Sequence, residues 1–311
     1  MKALNPGLFL GLGPCTLPDG TSQPVCSTQA NLNQRRALNF ENPVEGRFFS
    51  GLDFHDASGT RTYNGLLLAF QRRSADGLSL SGNYTLSSCM GHPTQDLPNI
   101  GTGWSKPDDP DFDRGRCNED RRHIVNATAG IRTPEIGSGV AAAIAQDWRV
   151  SGILRAQSGA PLTINTGIDQ AMNGLITNQR GNLIAGQNPY GDKTPNNWLN
   201  RAAFAQPALG TFGNTTRGQF FGPSWWSVDM VLSRTFALGT GPNLEVRAEA
   251  FNVLNTVRWG DPSTALNDPN FGKILPRPVQ NVNAPTNTTN PATLTGAGDP
   301  RIMQFAVKYT F

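Results

Sequence analysis

Long apolar runs are missing from this chain of 311 residues. Nothing approaches the ~20 consecutive apolar residues that a membrane-spanning helix requires. Spanning by helix is therefore excluded, but spanning by strand is not. A strand with lipid on one side and water on the other alternates, so its average looks soluble, and the mean hydropathy here is −0.37. Charge is also scarce, at 16% of residues with a net +3. Basic residues run no longer than pairs such as Arg35-Arg36 and Arg121-Arg122, so nothing argues for a nucleic-acid partner.

Catalytic residue types are thinly spread. There are 3 histidines, His55, His92 and His123, in no HExxH arrangement, and His123, at the start of a strand pattern, reads as structural. Ser158-Gly-Ala-Pro161 lacks a nucleophile elbow. Gly7…Gly11-Leu-Gly13 has neither the preceding strand nor the following helix of a dinucleotide site. Asp109-Pro-Asp-Phe-Asp113 has the opening spacing of a calcium loop. Arg114 stands where that loop needs glycine, however, and the closing glutamate is missing, so a solvated acidic loop is the plainer reading. No Ser/His/Asp set and no carboxylate pair can be assembled. The expectation is a non-enzyme without cofactor or metal.

What the chain does contain is turns and alternation. Gly (34) and Pro (23) are abundant, which suits many turns and long polar loops. The clearest segment is the last. Met303, Phe305, Val307, Tyr309 and Phe311 recur at every second position, while Gln304, Lys308 and Thr310 take the alternate register. Similar period-2 patterns predict strands over Thr62–Arg72, Leu78–Ser87, His123–Thr133, Trp148–Ala156, Trp226–Phe236 and Leu244–Ala250. The fourth could continue through Leu162 and Ile164, and Val140–Ala145 could form a short helix. Residues 1–60 read as loop, and about 166–223 carries no strong pattern.

The connections alternate short and long, ending with a long one before the terminal strand. Outer-membrane barrels have this asymmetry, with short periplasmic turns and longer extracellular loops. Glu245, Arg247 and Glu249 keep to one face while Leu244, Val246 and Ala248 keep to the other, as a lipid-facing strand demands, because a charge near mid-bilayer costs ~2–4 kcal/mol. The 4 cysteines fall into close pairs, Cys15/Cys26 and Cys89/Cys117, in polar stretches between strands and without CxxC spacing. They read as two loop-stapling disulfides on the extracellular side, formed in an oxidising compartment.

Several segments together resemble a known family. Arg247-Ala-Glu-Ala-Phe-Asn-Val-Leu-Asn255 is similar to a signature near the C-terminus of TonB-dependent outer-membrane receptors. The ending Gly298–Phe311 resembles the last strand of their Oar-like branch, which carries a carboxypeptidase-regulatory-like domain. Asn33-Gln-Arg-Arg36, Tyr63-Asn-Gly-Leu66, Gly77-Leu-Ser-Leu-Ser81, Asp120-Arg-Arg-His123, Ser158-Gly-Ala-Pro161 and Asp268-Pro-Asn-Phe-Gly272 follow in the family's order. The resemblance implies an all-β, antiparallel transmembrane barrel. Residues 61–311 would supply about seven C-terminal strands of a 22-stranded barrel, and 1–60 an extracellular loop region. An odd number of strands cannot close alone, and the start is a poor signal peptide because Asn5-Pro6 interrupts it. The expectation is therefore a truncated chain forming an open curved sheet.

The implied function is uptake of an unknown solute at the cell outer membrane. The partners would be outer-membrane lipid, the barrel-assembly machinery, an extracellular ligand and, through N-terminal parts not seen here, the TonB complex. Phe305, Val307, Tyr309 and Phe311 would form the assembly signal. The alternatives are a passive porin-like or adhesive barrel and a soluble secreted carbohydrate-binding β-sandwich. The loop aromatics Trp104, Trp198, Phe204, Phe212, Phe220 and Phe221 could contact a ligand or tack the loops together.

Overall fold

Seven long strands of nine to thirteen residues, β1 Arg61–Arg73, β2 Ser79–Gly91, β3 His123–Arg132, β4 Trp148–Gln157, β5 Trp225–Ala237, β6 Asn243–Phe251 and β7 Ile302–Thr310, dominate the computed structural model. It describes residues 2–54, 57–73, 77–93, 104–134, 139, 146–176, 179–239, 241–275 and 300–311. The long strands pair in sequence order as one antiparallel meander, with the short strand Gly115–Arg116 beside the end of β2. Among the described residues the sheet stays open, and β1 and β7 are its edges. Strands of this length match the ~9–11 residues that cross a bilayer at a tilt.

Register keeps the two faces separate. One row runs Leu80–Ala129–Gly152–Met230–Ala250–Met303 across six strands, and the next runs Ile131–Val150–Leu232–Ala248–Phe305. The opposite face carries Ser79–Gly130–Ser151–Val231–Glu249–Gln304 and Arg132–Arg149–Ser233–Arg247–Ala306. Because side chains alternate, a slip of one residue would turn every charge into the apolar face. The sheet is a single layer, and its apolar side chains lie open, Leu66 at 54%, Val307 at 70% and Phe305 at 78% exposure.

Two arginines break the apolar face: Arg72, opposite Leu80 near the end of β1, and Arg234. Arg234 stands in register between Trp148 and Val246. Its guanidinium lies 4.6 Å from the Phe236 ring centroid and 5.8 Å from that of Trp148. The residue is 8% exposed near the end of β5, where the aromatics cover its long stem.

Connections 74–78, 133–147 and 238–242 lie at the C-terminal end of the sheet, and 92–122, 158–224 and 252–301 at the other. The described parts of the longer ones fold, together with described residues before β1, into a cap. Five pairings of very short strands build it: Lys2–Ala3 with Asp53–Phe54, Cys15–Thr16 with Ser22–Gln23, Pro161–Leu162 with Phe220–Phe221, Asn182–Leu183 with Phe204–Ala205, and Tyr190–Thr194 with Asn197–Leu199. Its core is Leu162, Ile164, Leu199, Ala203, Phe204, Phe220, Leu266 and Phe271. Residues 1–60 thus contain defined elements, including the helix Ala37–Glu41.

Two strand boundaries differ from expectation. β2 runs on to Gly91 because Cys89 and Met90 still pair with Tyr63 and Thr62. β4 stops at Gln157 and does not continue through Leu162 and Ile164. Gly159 packs so closely on the Gly222 backbone that a Cβ would fall 1.9 Å from its carbonyl oxygen. That contact carries Pro161-Leu162 into the cap. The short helix entertained for Val140–Ala145 lies outside the described residues.

Candidate functional site

The polar face of the sheet carries a ladder of hydroxyls, amides and ions. Asn126 Nδ2 donates to Asn83 Oδ1 at 3.1 Å, and the Ser81 and Thr128 hydroxyls share a hydrogen bond. Arg155 pairs with Asp229, Arg247 with Glu249, and Gln304 donates to Glu249. Glu245 stands opposite Lys308 in register. This face is suited to water and polar solutes, as the lumen of a barrel requires.

Where β4 to β7 meet the cap, this face ends in a cavity of about 280 Å³. Arg155, Trp225, Ser227, Asp229, Phe251 and Arg258 line it. The turn after β6 shapes its wall. Asn252 and Asn255 adopt left-handed φ values of 47° and 50°, which asparagine tolerates better than most residues. Asn252 N–H donates to Asp229 Oδ1 at 2.8 Å, and its side-chain oxygen accepts from Thr256 N–H at 3.0 Å. Asn255 Oδ1 accepts from Arg301 N–H at 3.3 Å. The Phe-Asn-Val-Leu-Asn segment is therefore a structural hinge that aims the chain out of the sheet.

Other segments of the same ordered set also sit at joints. Arg35 is fully buried, and donates to Asn31 Oδ1 at 2.8 Å, Thr28 O at 2.9 Å and Met172 O at 3.3 Å. Burial lowers its pKa, and the Asp169 charge partly offsets this. Asp120 accepts from Cys89 N–H at 3.0 Å, and Ser158 Oγ from His123 N–H at 3.1 Å. Asp268 Oδ1 accepts from Asn270 N–H at 2.8 Å, and Gly272 takes a φ of 79°. These residues hold loops to loops and loops to strands.

Both cysteine pairs form disulfides, Cys15–Cys26 and Cys89–Cys117, with Cα separations of 5.3 and 5.4 Å. Both lie at the end of the sheet with the long connections, and the second ties the end of β2 to the cap. In the acidic loop Asp109 faces Lys106 at 3.9 Å, Asp111 faces His92 at 3.3 Å, and Asp113 faces Arg180 at 2.7 Å. His123 bonds the Tyr84 hydroxyl through Nδ1 at 2.8 Å. Of the loop aromatics, Trp104, Phe204 and Phe220 are buried, and Trp198 Nε1 donates to Phe221 O at 3.0 Å. Phe212 packs edge-on to Phe112. Phe305, Val307 and Tyr309 lie in the apolar register of the edge strand β7, and Phe311 follows it fully exposed. The cavity and Arg234 were missed in the sequence. A basic residue in the apolar phase of Trp226–Phe236 was the available signal for Arg234.

The family model of the outer membrane beta barrel domain matches residues 5–304. The chain belongs to this family. The match includes the cap segments before β1 as well as β1 to β6 and the start of β7, so cap and strands are parts of one outer-membrane barrel domain. Searches of curated proteins and of solved structures return no match. Membership places the chain in the cell outer membrane and assigns the apolar strand face to lipid. It also corrects the soluble β-sandwich alternative. A sandwich needs a second sheet over the apolar face, and among the described residues none covers it.

Proposed function

We propose that this outer membrane beta barrel domain is the C-terminal part of a receptor that captures a solute at the cell surface and imports it with energy delivered through TonB. The observation favouring capture over passive conduction is the folded cap, with its own apolar core and buried Asp113–Arg180 pair. A simple pore needs no such structure. The ordered family segments, which serve the joints between cap and strands, support the same reading. Strands outside this sequence would pair with the edges of β1 and β7, because unpaired backbone groups in lipid cost several kcal/mol each. Phe305, Val307, Tyr309 and Phe311 would be read by the barrel-assembly machinery, and no catalytic step is assigned to the chain.

Conductance separates this reading from a passive pore. The full receptor, purified from outer membranes and placed in planar bilayers, is expected to stay closed. A steady open-channel current in the intact protein would instead assign it as a passive pore.

A further inference from the structure

We propose that the cavity at the cap end of β4–β7 binds a small organic monocarboxylate with a ring-shaped body. Its size, about 280 Å³, falls just below the roughly 300–1,000 Å³ range of drug-sized ligand sites and so suits a small ligand. Its charges are unbalanced. Two guanidinium groups, Arg155 and Arg258, share the lining with one carboxylate, Asp229. That carboxylate already pairs with Arg155 and accepts the Asn252 N–H. Arg258 has no acidic partner among the described residues, so one positive charge is left over. One anionic charge balances it, which selects a monocarboxylate over a phosphate dianion.

Geometry fixes how that charge is presented. The Arg258 guanidinium lies 4.2 Å from the Trp225 ring centroid. Resting against the indole, the guanidinium keeps its planar fork of N–H donors for a two-pronged carboxylate contact. Trp225 Nε1 is buried and has no hydrogen-bond partner among the described residues. Trp225 and Phe251 supply flat apolar surface for the rest of the ligand. The turn at Asn252, held by Asp229, fixes Phe251 in that wall.

The site is defined by equilibrium binding and stands whether or not uptake is energised. The probes are benzoate and galacturonate, each compared with a neutral ring counterpart, benzyl alcohol or galactose. They are titrated by calorimetry into the full chain extracted from outer membranes in detergent. At least one carboxylate is expected to bind, and to bind more tightly than its neutral counterpart. Arg258→Gln should weaken that binding about tenfold or more. Arg258→Lys, which keeps the charge without the fork, should fall between the two. Arg47→Gln, an exposed cation on the cap, should leave it unchanged. Heat-modifiable mobility establishes that each variant is folded. Binding of neither carboxylate, equal binding of the neutral compounds, or indifference to Arg258→Gln in folded protein would each overturn the proposal.

Discussion

Arg180 and Asp113 face each other at 2.7 Å with only 2% and 0% of their side chains exposed, an ion pair enclosed between two connections of the cap. Asp113 also accepts from the Ser105 hydroxyl at 2.6 Å, and Arg180 Nε donates to Thr215 O at 2.7 Å. The guanidinium lies 4.0 Å from the Phe112 ring centroid. Such a pair repays its desolvation only when every remaining donor and acceptor is satisfied.

Breaking it should therefore loosen the cap and leave the strands in place. Asp113→Asn leaves the Arg180 charge buried without its counter-ion, at a cost of ~3–5 kcal/mol. Limited proteolysis of outer membranes should cut the 158–224 connection faster in this variant, while the amount of inserted barrel stays the same. Unchanged proteolysis would remove the pair from the cap's stability.

The two disulfides act on the same body. Their sequence separations are 11 and 28 residues, and closing loops of this size typically stabilises by ~2–4 kcal/mol. Mass spectrometry of the membrane-isolated protein under non-reducing conditions should find Cys15–Cys26 and Cys89–Cys117 and no other pairing. Replacing Cys89 and Cys117 with serine should detach the 104–120 segment from β2 and raise its protease sensitivity. Free thiols at all four positions would reject the assignment.

Alkali should weaken the cap through Tyr190. Burial pushes the Tyr190 phenol above its ordinary range, and the Phe221 N–H bond to its oxygen partly counteracts this. Unfolded, the phenol ionises near pH ~10. The folded form holds its proton more tightly, so its contribution is complete below that pH and is lost as pH rises through the higher folded value. Thermal melts of the extracted protein should fall more steeply above about pH 10 than those of Tyr190→Phe. Parallel curves would assign the alkaline loss to other groups.

The long strands were legible because nine to thirteen residues of period 2 leave a clear trace, and the register Leu232–Ala248–Phe305 follows from it. The cap was not legible. Its pairings are two to five residues long, as in Pro161–Leu162 with Phe220–Phe221, too short for any period to emerge. Much of its order comes from side chains bonded to distant backbone, such as Arg35 to Met172 O and Arg180 to Phe112 O, and sequence spacing does not encode these contacts. The cavity escaped for a related reason. Arg155, Trp225 and Arg258 come from separate segments and are brought together only by the register of β4 on β5 and the hinge at Asn252.

Face assignment can be tested on neighbouring residues of β6. Ala248 lies in the apolar row between Leu232 and Phe305, and Arg247 on the polar side between Ser233 and Ala306. Ala248→Arg places a charge in lipid at a cost of ~2–4 kcal/mol and should sharply reduce insertion, whereas Arg247→Gln should be tolerated. Equal tolerance of both in the outer membrane would mean that β6 does not face lipid.

The end of the chain should matter more than its contacts suggest. Phe311 is 100% exposed and touches Tyr309 with ring centroids 6.2 Å apart, so packing alone gives it almost no value. Tyr309, Val307 and Phe305 lie opposite Leu244, Val246 and Ala248 on the lipid side of β7. The other edge of β7 offers unpaired N–H and C=O groups, onto which a strand of an assembly partner can add, with pockets for alternate side chains giving specificity. A pattern read this way depends on the last aromatic even though the folded sheet does not. Phe311→Asp should therefore lower insertion more than any single substitution in the cap, including Asp113→Asn. Heat-modifiable mobility and protease resistance in outer membranes measure it. Wild-type insertion with Asp at position 311 would mean that Phe305, Val307 and Tyr309 are lipid-facing surface only, and that assembly reads something else.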